Sequence, residues 1–170
     1  MPAISEDEYL HTSYDGIDRE FRDGEILERG EPTFQHGDTQ GAAAAFFCGL
    51  RKSKNLYPGI STRIRLRPGR YVVPDVSVFW PNEPTTAIPE DLPLIVIEIL
   101  SPDERMMAVI AKLIEYQSYG IPHIWLLDPE HNTFYTFHGR LKPVQSATIP
   151  EVGIEFHFAD LSGAGLQAGA

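Results

Sequence analysis

The sequence predicts an α/β fold of the α+β type, in which a mixed central β-sheet is flanked by helices. Two short, nearly continuous apolar runs at 76–80 and 94–100 read as strands buried on both faces of a sheet. A helical pattern follows the second run and leads into a third apolar strand near 123–127, which makes a strand, helix, strand unit. A chain of 170 residues suits one domain. We therefore expect a single domain over residues 1–170.

The N-terminal part predicts a short arm, a strand and a long helix. Ser5 and Glu8 form a capping box, so a helical arm is expected at about 4–12. The Asp-Gly turn within 22–28 indicates a strand. The alanine-rich segment from about 35 to 50 favours a helix, because alanine has the highest helix propensity.

The segment from 60 to 67 alternates apolar residues with polar ones, which is typical of a half-buried strand. Arg63, Arg65 and Arg67 then share one face of that strand. This face can bind a phosphate backbone, or it can form ion pairs with the acidic excess of the chain. The sequence does not favour one over the other.

The strongest helix prediction covers 102–119. The segment Ser101-Pro102-Asp103-Glu104 reads as a capping box with proline at the first helical position, and Gly120 reads as the C-terminal cap. The proline-rich segment 81–93 is predicted to be a loop. Further strands are expected at 133–137, in a hairpin, and at 154–158. A frayed tail is expected at 162–170.

Composition restricts the function. The sequence contains no apolar run of the roughly 20 residues that a membrane-spanning helix needs, and its acidic start lacks the features of an export signal. We therefore expect a cytoplasmic protein with no membrane partner. Cys48 is the only cysteine, so an internal disulfide is excluded, and its apolar surroundings predict a core position. The net charge of −10 opposes nonspecific binding to nucleic acid.

Two carboxylates occupy strands that are otherwise apolar. Asp75 stands at the start of one buried strand and Glu98 lies inside the next, and a buried acid needs a partner. Mg²⁺ or Mn²⁺ suits this pair, because such hard cations take oxygen ligands. The backbone carbonyl of Ile99 is a candidate further ligand. Lys112, in the helix that follows Glu98, is placed to extend its ammonium group toward the carboxylates, where it can orient an attacking water.

Each of these residues also has a purely structural interpretation. Asp75 can cap a turn, Glu98 can pair with Arg63 or Arg65, and Lys112 can be a solvated helix residue. Glu25 and His36 are secondary site candidates. An exposed strand acid and a helix-packing histidine are the commoner interpretations for these two.

The Asp128-Pro129 pair also follows a buried strand and so resembles a further acid site. Aspartate before proline is ordinary turn chemistry, and we expect a turn here.

The residues around this site resemble the Uma2 (DUF820) family in order and spacing. The matching segments are Pro74-Asp75-Val76-Ser77-Val78, Val96-Ile97-Glu98-Ile99-Leu100-Ser101-Pro102, Lys112 with Tyr116, Glu20-Phe21-Arg22-Asp23-Gly24-Glu25, His36, and the segment 119–129.

Uma2 proteins are assigned to the PD-(D/E)XK nuclease superfamily, so this resemblance implies a restriction-endonuclease-like core. It implies that Asp75 and Glu98 are metal ligands and that Lys112 is the catalytic lysine. In the superfamily pattern the lysine lies two residues after the acid, where this chain has Leu100. The resemblance therefore implies that Lys112 replaces that lysine from the helix.

Three functions follow as hypotheses. The first is a Mg²⁺- or Mn²⁺-dependent endonuclease that hydrolyses phosphodiester bonds in DNA. The second is a noncatalytic module that binds nucleic acid or protein through its surface. The third is hydrolysis of a small nucleotide-like substrate, which the net charge tolerates better than long DNA. The superfamily resemblance also implies a homodimer, since two equivalent sites are needed to cut both strands of a duplex.

Overall fold

The computed structural model describes residues 3–14, 18–30, 32–102 and 105–161. Its helices are α1 (Glu6–His11), α2 (Phe34–Gly49), α3 (Arg51–Lys54) and α4 (Met106–Tyr119), and a 3-10 turn covers Phe158–Leu161. Its strands are β1 (Glu20–Arg22), β2 (Glu25–Leu27), β3 (Tyr57–Ile60), β4 (Ile64–Arg67), β5 (Arg70–Val72), β6 (Val76–Phe79), β7 (Ile95–Ile99), β8 (His123–Asp128), β9 (Thr133–Phe137), β10 (Leu141–Val144), β11 (Ser146–Ile149) and β12 (Ile154–His157).

The main sheet has six strands in the order β10-β9-β8-β7-β6-β3. β7 and β8 are parallel and are connected through α4, whereas the other neighbouring strands pair in antiparallel fashion. The two continuous apolar runs thus form central strands, since every residue of β6 and β7 is buried. The predicted class, a mixed sheet flanked by helices, is confirmed.

A second sheet of four strands, in the order β2-β1-β5-β4, carries the N-terminal helix. Ser5 caps α1 by accepting a hydrogen bond from the Glu8 amide, as the capping box predicts. Tyr9 of α1 is fully buried and stacks on Phe21 with a centroid distance of 4.9 Å. The arm is therefore packed onto the small sheet through an aromatic cluster.

Apolar clusters cover both faces of the main sheet, and strand alternation decides which face each residue joins. Ile95, Ile97 and Ile99 pack with α2 and the β11-β12 hairpin. Val96 packs with α4 on the opposite face. Glu98 has the same parity as Val96, so its carboxylate lies on the face that α4 covers.

Two of the predicted elements are wrong in their extent. α4 begins at Met106, with Arg105 as its N-cap residue, and not at Pro102. The chain is still part of the sheet at Leu100, whose amide donates to the Leu127 carbonyl at 2.8 Å, so it must turn before a helix can begin. Asp103 and Glu104 of the predicted capping box lie outside the described residues, as does the predicted tail at 162–170. Gly120 ends α4 in the left-handed region, as predicted.

The alternating segment 60–67 is two strands rather than one. Ser61 adopts a φ of 45° and separates β3, in the main sheet, from β4, in the small sheet. The Ser61 amide donates to the Asp75 carbonyl, which fixes this break at the edge of the site.

Cys48 is exposed, which contradicts the predicted core position. The buried face of α2 runs through Ala43, Ala44 and Phe47, and Cys48 lies one residue beyond it. Within the described part of the chain, no helix has the length and apolar character needed to cross a membrane.

Candidate active site

Asp75 and Glu98 lie at neighbouring positions in the main sheet. Asp75 directly precedes β6 and Glu98 is the fourth residue of β7, and these strands pair through Val76 and Ile97. Asp75 is 4% exposed and Glu98 is 6% exposed. Two acids are thus buried side by side where the sheet meets α2 and α4.

Three donors hold the carboxylate of Asp75. Oδ1 accepts from Arg29 Nη2 at 2.7 Å, and Oδ2 accepts from the backbone amide of Ile99 at 2.8 Å. His36 Nε2 lies 3.2 Å from Oδ2. Burial alone raises the pKa of Asp75, but the hydrogen bond with His36 and the charge of Lys112 outweigh it and lower that pKa. Asp75 is therefore held as a carboxylate.

Glu98 binds two side chains of α4. Its Oε2 lies 3.0 Å from Lys112 Nζ, and its Oε1 accepts from the Tyr116 hydroxyl at 2.7 Å. Lys112 and Tyr116 are four residues apart, so they lie on the same face of the helix. Burial is the largest influence on Glu98 and, together with the charge of Asp75, raises its pKa. Glu98 therefore takes up a proton more readily than an exposed glutamate does.

Lys112 joins Glu98 to a third carboxylate, that of Glu20 in β1. Lys112 Nζ lies 2.8 Å from Glu20 Oε1, and the Lys112 side chain is 19% exposed. Burial lowers the pKa of Lys112, but the charges of Glu20 and Glu98 outweigh it and raise that pKa. The ammonium group is therefore charged and held in place by two carboxylates. The interpretation of Lys112 as a solvated helix residue does not apply.

Arg70 binds the other carboxylate oxygen of Glu20. Its Nη2 lies 2.9 Å from Glu20 Oε2, and the Val73 amide donates to Glu20 Oε1. Arg70 also binds Glu115 of α4 through Nε at 2.7 Å. Burial raises the pKa of Glu20, but the charges of Lys112 and Arg70 prevail and lower it. This network ties α4 to the small sheet.

The structure brings four of the sequence-predicted site residues together: Asp75, Glu98, Lys112 and His36. Ile99 is adjacent as well, and it contacts Asp75 through its amide rather than through its carbonyl. Glu25 is not part of the cluster. It is exposed on β2, as its structural interpretation predicts.

The structure rejects the arginine pairing suggested for Glu98 and agrees with the turn predicted for Asp128. Glu98 does not pair with Arg63 or Arg65 among the described residues, because Arg63 binds Asp18, and Arg65 binds Glu6 and Glu90. Asp128 accepts from the His131 amide, so Asp128-Pro129 is a turn, as predicted.

Glu20, Arg29 and Gln40 are site residues that the sequence analysis did not single out. Gln40 donates to the Asp75 carbonyl at 2.8 Å. Its position four residues after His36 places both on one face of α2, and this spacing was a usable signal. Glu20 lies in a strand of three residues and Arg29 in an irregular segment, so neither has a periodicity that could reveal it.

A cleft of about 530 Å³ opens over these residues. Its charged lining residues are five acids and five bases: Glu20, Glu28, Asp75, Glu98, Glu115, Arg22, Arg29, Arg70, Arg105 and Lys112. The charge in the cleft is therefore balanced, although the whole chain carries a net charge of −10.

The donor set fits a hard divalent cation by its chemistry. No group of three or more His, Cys, Asp or Glu side chains within the described ranges is arranged to hold a metal ion. Mg²⁺ needs only one or two carboxylates, however, because it keeps several water ligands. Arg29 supplies positive charge at an oxygen of Asp75, and Lys112 does so at an oxygen of Glu98.

A mixed central sheet flanked by helices, with a cleft over buried acids, is a nuclease-like α/β fold. The chain belongs to the Uma2 family, whose description is "Putative restriction endonuclease" and whose model matches residues 6–155. The fold is also that of a solved structure from Anabaena variabilis ATCC 29413, described as a putative nuclease belonging to DUF820. That structure has a TM-score of 0.76 and 23% sequence identity, and the match covers 93% of this chain and 97% of that chain. A comparison with curated proteins found no match.

Proposed function

We propose that this protein is a Mg²⁺- or Mn²⁺-dependent endonuclease that hydrolyses phosphodiester bonds in DNA. The observation that carries the proposal is the placement of Asp75 and Glu98 beneath an open cleft, with the Lys112 ammonium 3.0 Å from Glu98. Membership of a family described as putative restriction endonucleases supports the reaction class.

Asp75 and Glu98 would hold the cation, with the Ile99 carbonyl as a further ligand. The N–H and C=O of one strand residue point to the same edge of the strand, and the Ile99 amide already faces Asp75. When bound, the cation would polarise a phosphoryl oxygen and lower the pKa of a water ligand. The donors on Asp75 keep that side chain charged and oriented.

Lys112 orients the attacking water or offsets the charge that develops on the phosphoryl group. Glu20 also binds the ammonium, so Lys112 cannot turn toward solvent without breaking two ion pairs. Tyr116 keeps the second oxygen of Glu98 engaged. Glu20 and Tyr116 are positioning residues in this scheme.

A cleavage assay tests the proposal. Wild-type protein should cut DNA with Mg²⁺ or Mn²⁺ and not with chelator, and Asp75→Asn should abolish cutting. Asp128→Asn is the matched control, because Asp128 is also a buried strand-end aspartate but binds the turn at His131. Equal cutting by Asp75→Asn and wild type would refute the proposed site.

The charge balance of the cleft favours a second candidate, hydrolysis of a small nucleotide-like substrate. Five bases matched by five acids offer few net positive charges to a long polyanion. A series of substrates from dinucleotides to long duplexes separates the two candidates. Faster turnover with increasing length supports the endonuclease. If no phosphodiester is cut under any metal condition, the remaining candidate is a noncatalytic module that binds nucleic acid or protein.

We also propose that the active form is a homodimer, because two sites are required to cut both strands of a duplex. The exposed side of α4 supports this. Met107 is 76% exposed and Ile114 is 53% exposed, and both lie on a helix whose charged residues, Lys112 and Glu115, face the site network. Contact with a second copy of the chain would remove these apolar side chains from water.

A further inference from the structure

Arg29 contacts the carboxylate that the proposed function assigns to the metal. It follows β2 in an irregular segment, and its side chain lines the cleft and is 14% exposed. Its Nη2 lies 2.7 Å from Asp75 Oδ1. Within the described part of the chain, Asp75 is the carboxylate with which Arg29 forms an ion pair.

The two oxygens of Asp75 have partners of different kinds. Oδ2 is held by the backbone amide of Ile99 and by His36, which belong to a central strand and a buried helix face. Oδ1 is held by the end of a long side chain at the wall of the cleft. Rotation about the side-chain torsions of Arg29 is enough to free Oδ1, with no change in the backbone.

We propose that Arg29 exchanges between two anions. It pairs with Asp75 when the site holds no metal, and it binds a phosphate group of the substrate when Asp75 holds a divalent cation. This inference rests on the proposed function and adds a substrate-binding residue to it.

The charges of the cluster explain why Arg29 becomes available. When a divalent cation is bound, Glu98 would be held as a carboxylate, because metal ligands are deprotonated. Glu20, Asp75 and Glu98 would then carry three negative charges, whereas Lys112 carries one positive charge and the cation adds two. Arg70 is already shared with Glu115. The charge of Arg29 is then unmatched and faces the cleft, where a phosphodiester supplies a single negative charge. A guanidinium binds phosphate oxygens in a bidentate manner, which an ammonium cannot do.

The exchange predicts opposite effects on two ligands, and both are measured without turnover. Isothermal titration of Mn²⁺ into Arg29→Gln should give an affinity about tenfold higher than wild type, since no guanidinium competes for Asp75. Binding of a DNA oligonucleotide in Ca²⁺, another hard cation with oxygen ligands, should weaken about tenfold. The slope of the logarithm of this affinity against the logarithm of salt concentration should become shallower by the amount that about one phosphate contact contributes. Arg22→Gln is the matched control, because Arg22 also lines the cleft but pairs with Glu115.

Arg29→Lys keeps the positive charge and guards against a folding defect in the glutamine variant. It should bind Mn²⁺ as wild type does and bind the oligonucleotide more weakly. Mn²⁺ affinity that is unchanged or lower in Arg29→Gln would overturn the exchange while leaving the proposed function intact. Unchanged oligonucleotide binding would overturn the phosphate role. Absence of Mn²⁺ binding in wild type and in every variant would overturn both.

Discussion

Individual residues of the site differ in how far the sequence could reveal them. Asp75 and Glu98 are conspicuous, because carboxylates interrupt apolar strands and a buried acid requires a partner. Lys112 is not conspicuous by periodicity. Its place in the helix that follows Glu98 and the resemblance to Uma2 proteins both indicated it. The structure places its ammonium between Glu20 and Glu98. No local pattern indicates the role of Glu20, because that role depends on a tertiary contact between β1 and α4.

Glu20 and Glu25 provide a matched test of this network at the residue scale. Both are glutamates of the same hairpin, but Glu20 is 5% exposed and Glu25 is an exposed strand residue. We expect Glu20→Gln to lower the cleavage rate about 10- to 100-fold, as is usual when a residue that orients an active-site group is lost. Glu25→Gln should cut at the wild-type rate. Comparable cleavage rates for the two variants would show that Glu20 does not position Lys112 for catalysis.

At the scale of elements, propensity and capping predicted α1, α2 and α4, although the capping box at Ser101 placed the start of α4 too early. Long-range pairing decided the rest. The capping box at Ser5 and the glycine cap at Gly120 are local signals, and both are confirmed. The break at Ser61 is not local, since it depends on a hydrogen bond to the Asp75 carbonyl. β10 and β11 were missed because their pairing partners, rather than their own sequences, define them.

Glu6 anchors α1 to the small sheet, and this anchor should depend on pH. It accepts from the Tyr71 hydroxyl and from the Gly69 amide, and it pairs with Arg65. The hydrogen bond from Tyr71 is the largest influence and lowers the pKa of Glu6 below its unfolded value of 4.5. The contribution to stability is therefore complete above that value and is lost as the pH falls through the folded pKa.

Thermal unfolding of wild type and Glu6→Gln checks this dependence. The variant should be about 1–2 kcal/mol less stable at pH 7. A hydrogen bond to a charged group contributes about 1.5–3 kcal/mol, and the partial exposure of Glu6 reduces this value. The difference should shrink below about pH 4.5, where the unfolded carboxyl becomes protonated. A difference that does not change with pH would contradict the anchoring role of the charge.

Phe156 joins the β11-β12 hairpin to the core under α2. It is fully buried and stacks on Trp125 with a centroid distance of 5.1 Å. We expect Phe156→Ala to lower the free energy of unfolding by about 3–5 kcal/mol. Phe34→Ala is the control, because Phe34 is 90% exposed and its loss should change stability by no more than about 0.5 kcal/mol. Denaturant unfolding measures both, and equal effects would show that the hairpin is not part of the cooperative core.

At the scale of the whole molecule, the net charge of −10 does not show which basic groups are free to bind an anion. Arg63, Arg65 and Arg67 are engaged in ion pairs with Asp18, with Glu6 and Glu90, and with Asp23, so they do not form the free basic face that a phosphate backbone would need. The sequence left this choice open because the partners lie far from the arginines in the chain. Arg29, by contrast, lines the cleft beside Asp75.

The proposed homodimer is tested through the exposed side of α4. Sedimentation equilibrium should give twice the mass of the chain, and Ile114→Glu should convert the dimer to a monomer by placing charge in the interface. Glu25→Gln, on the other sheet, should leave the mass unchanged. A monomer over the full concentration range in wild type would contradict the proposal.

Calorimetric titration of Mn²⁺ tests whether Asp75 and Glu98 form one metal site, as we propose. Wild type and the folded control Asp128→Asn should bind Mn²⁺ with equal affinity. Asp75→Asn and Glu98→Gln, each verified as folded, should each lose at least about tenfold in affinity. Unchanged Mn²⁺ binding in the two site variants would contradict the account and leave a noncatalytic binding module as the better description.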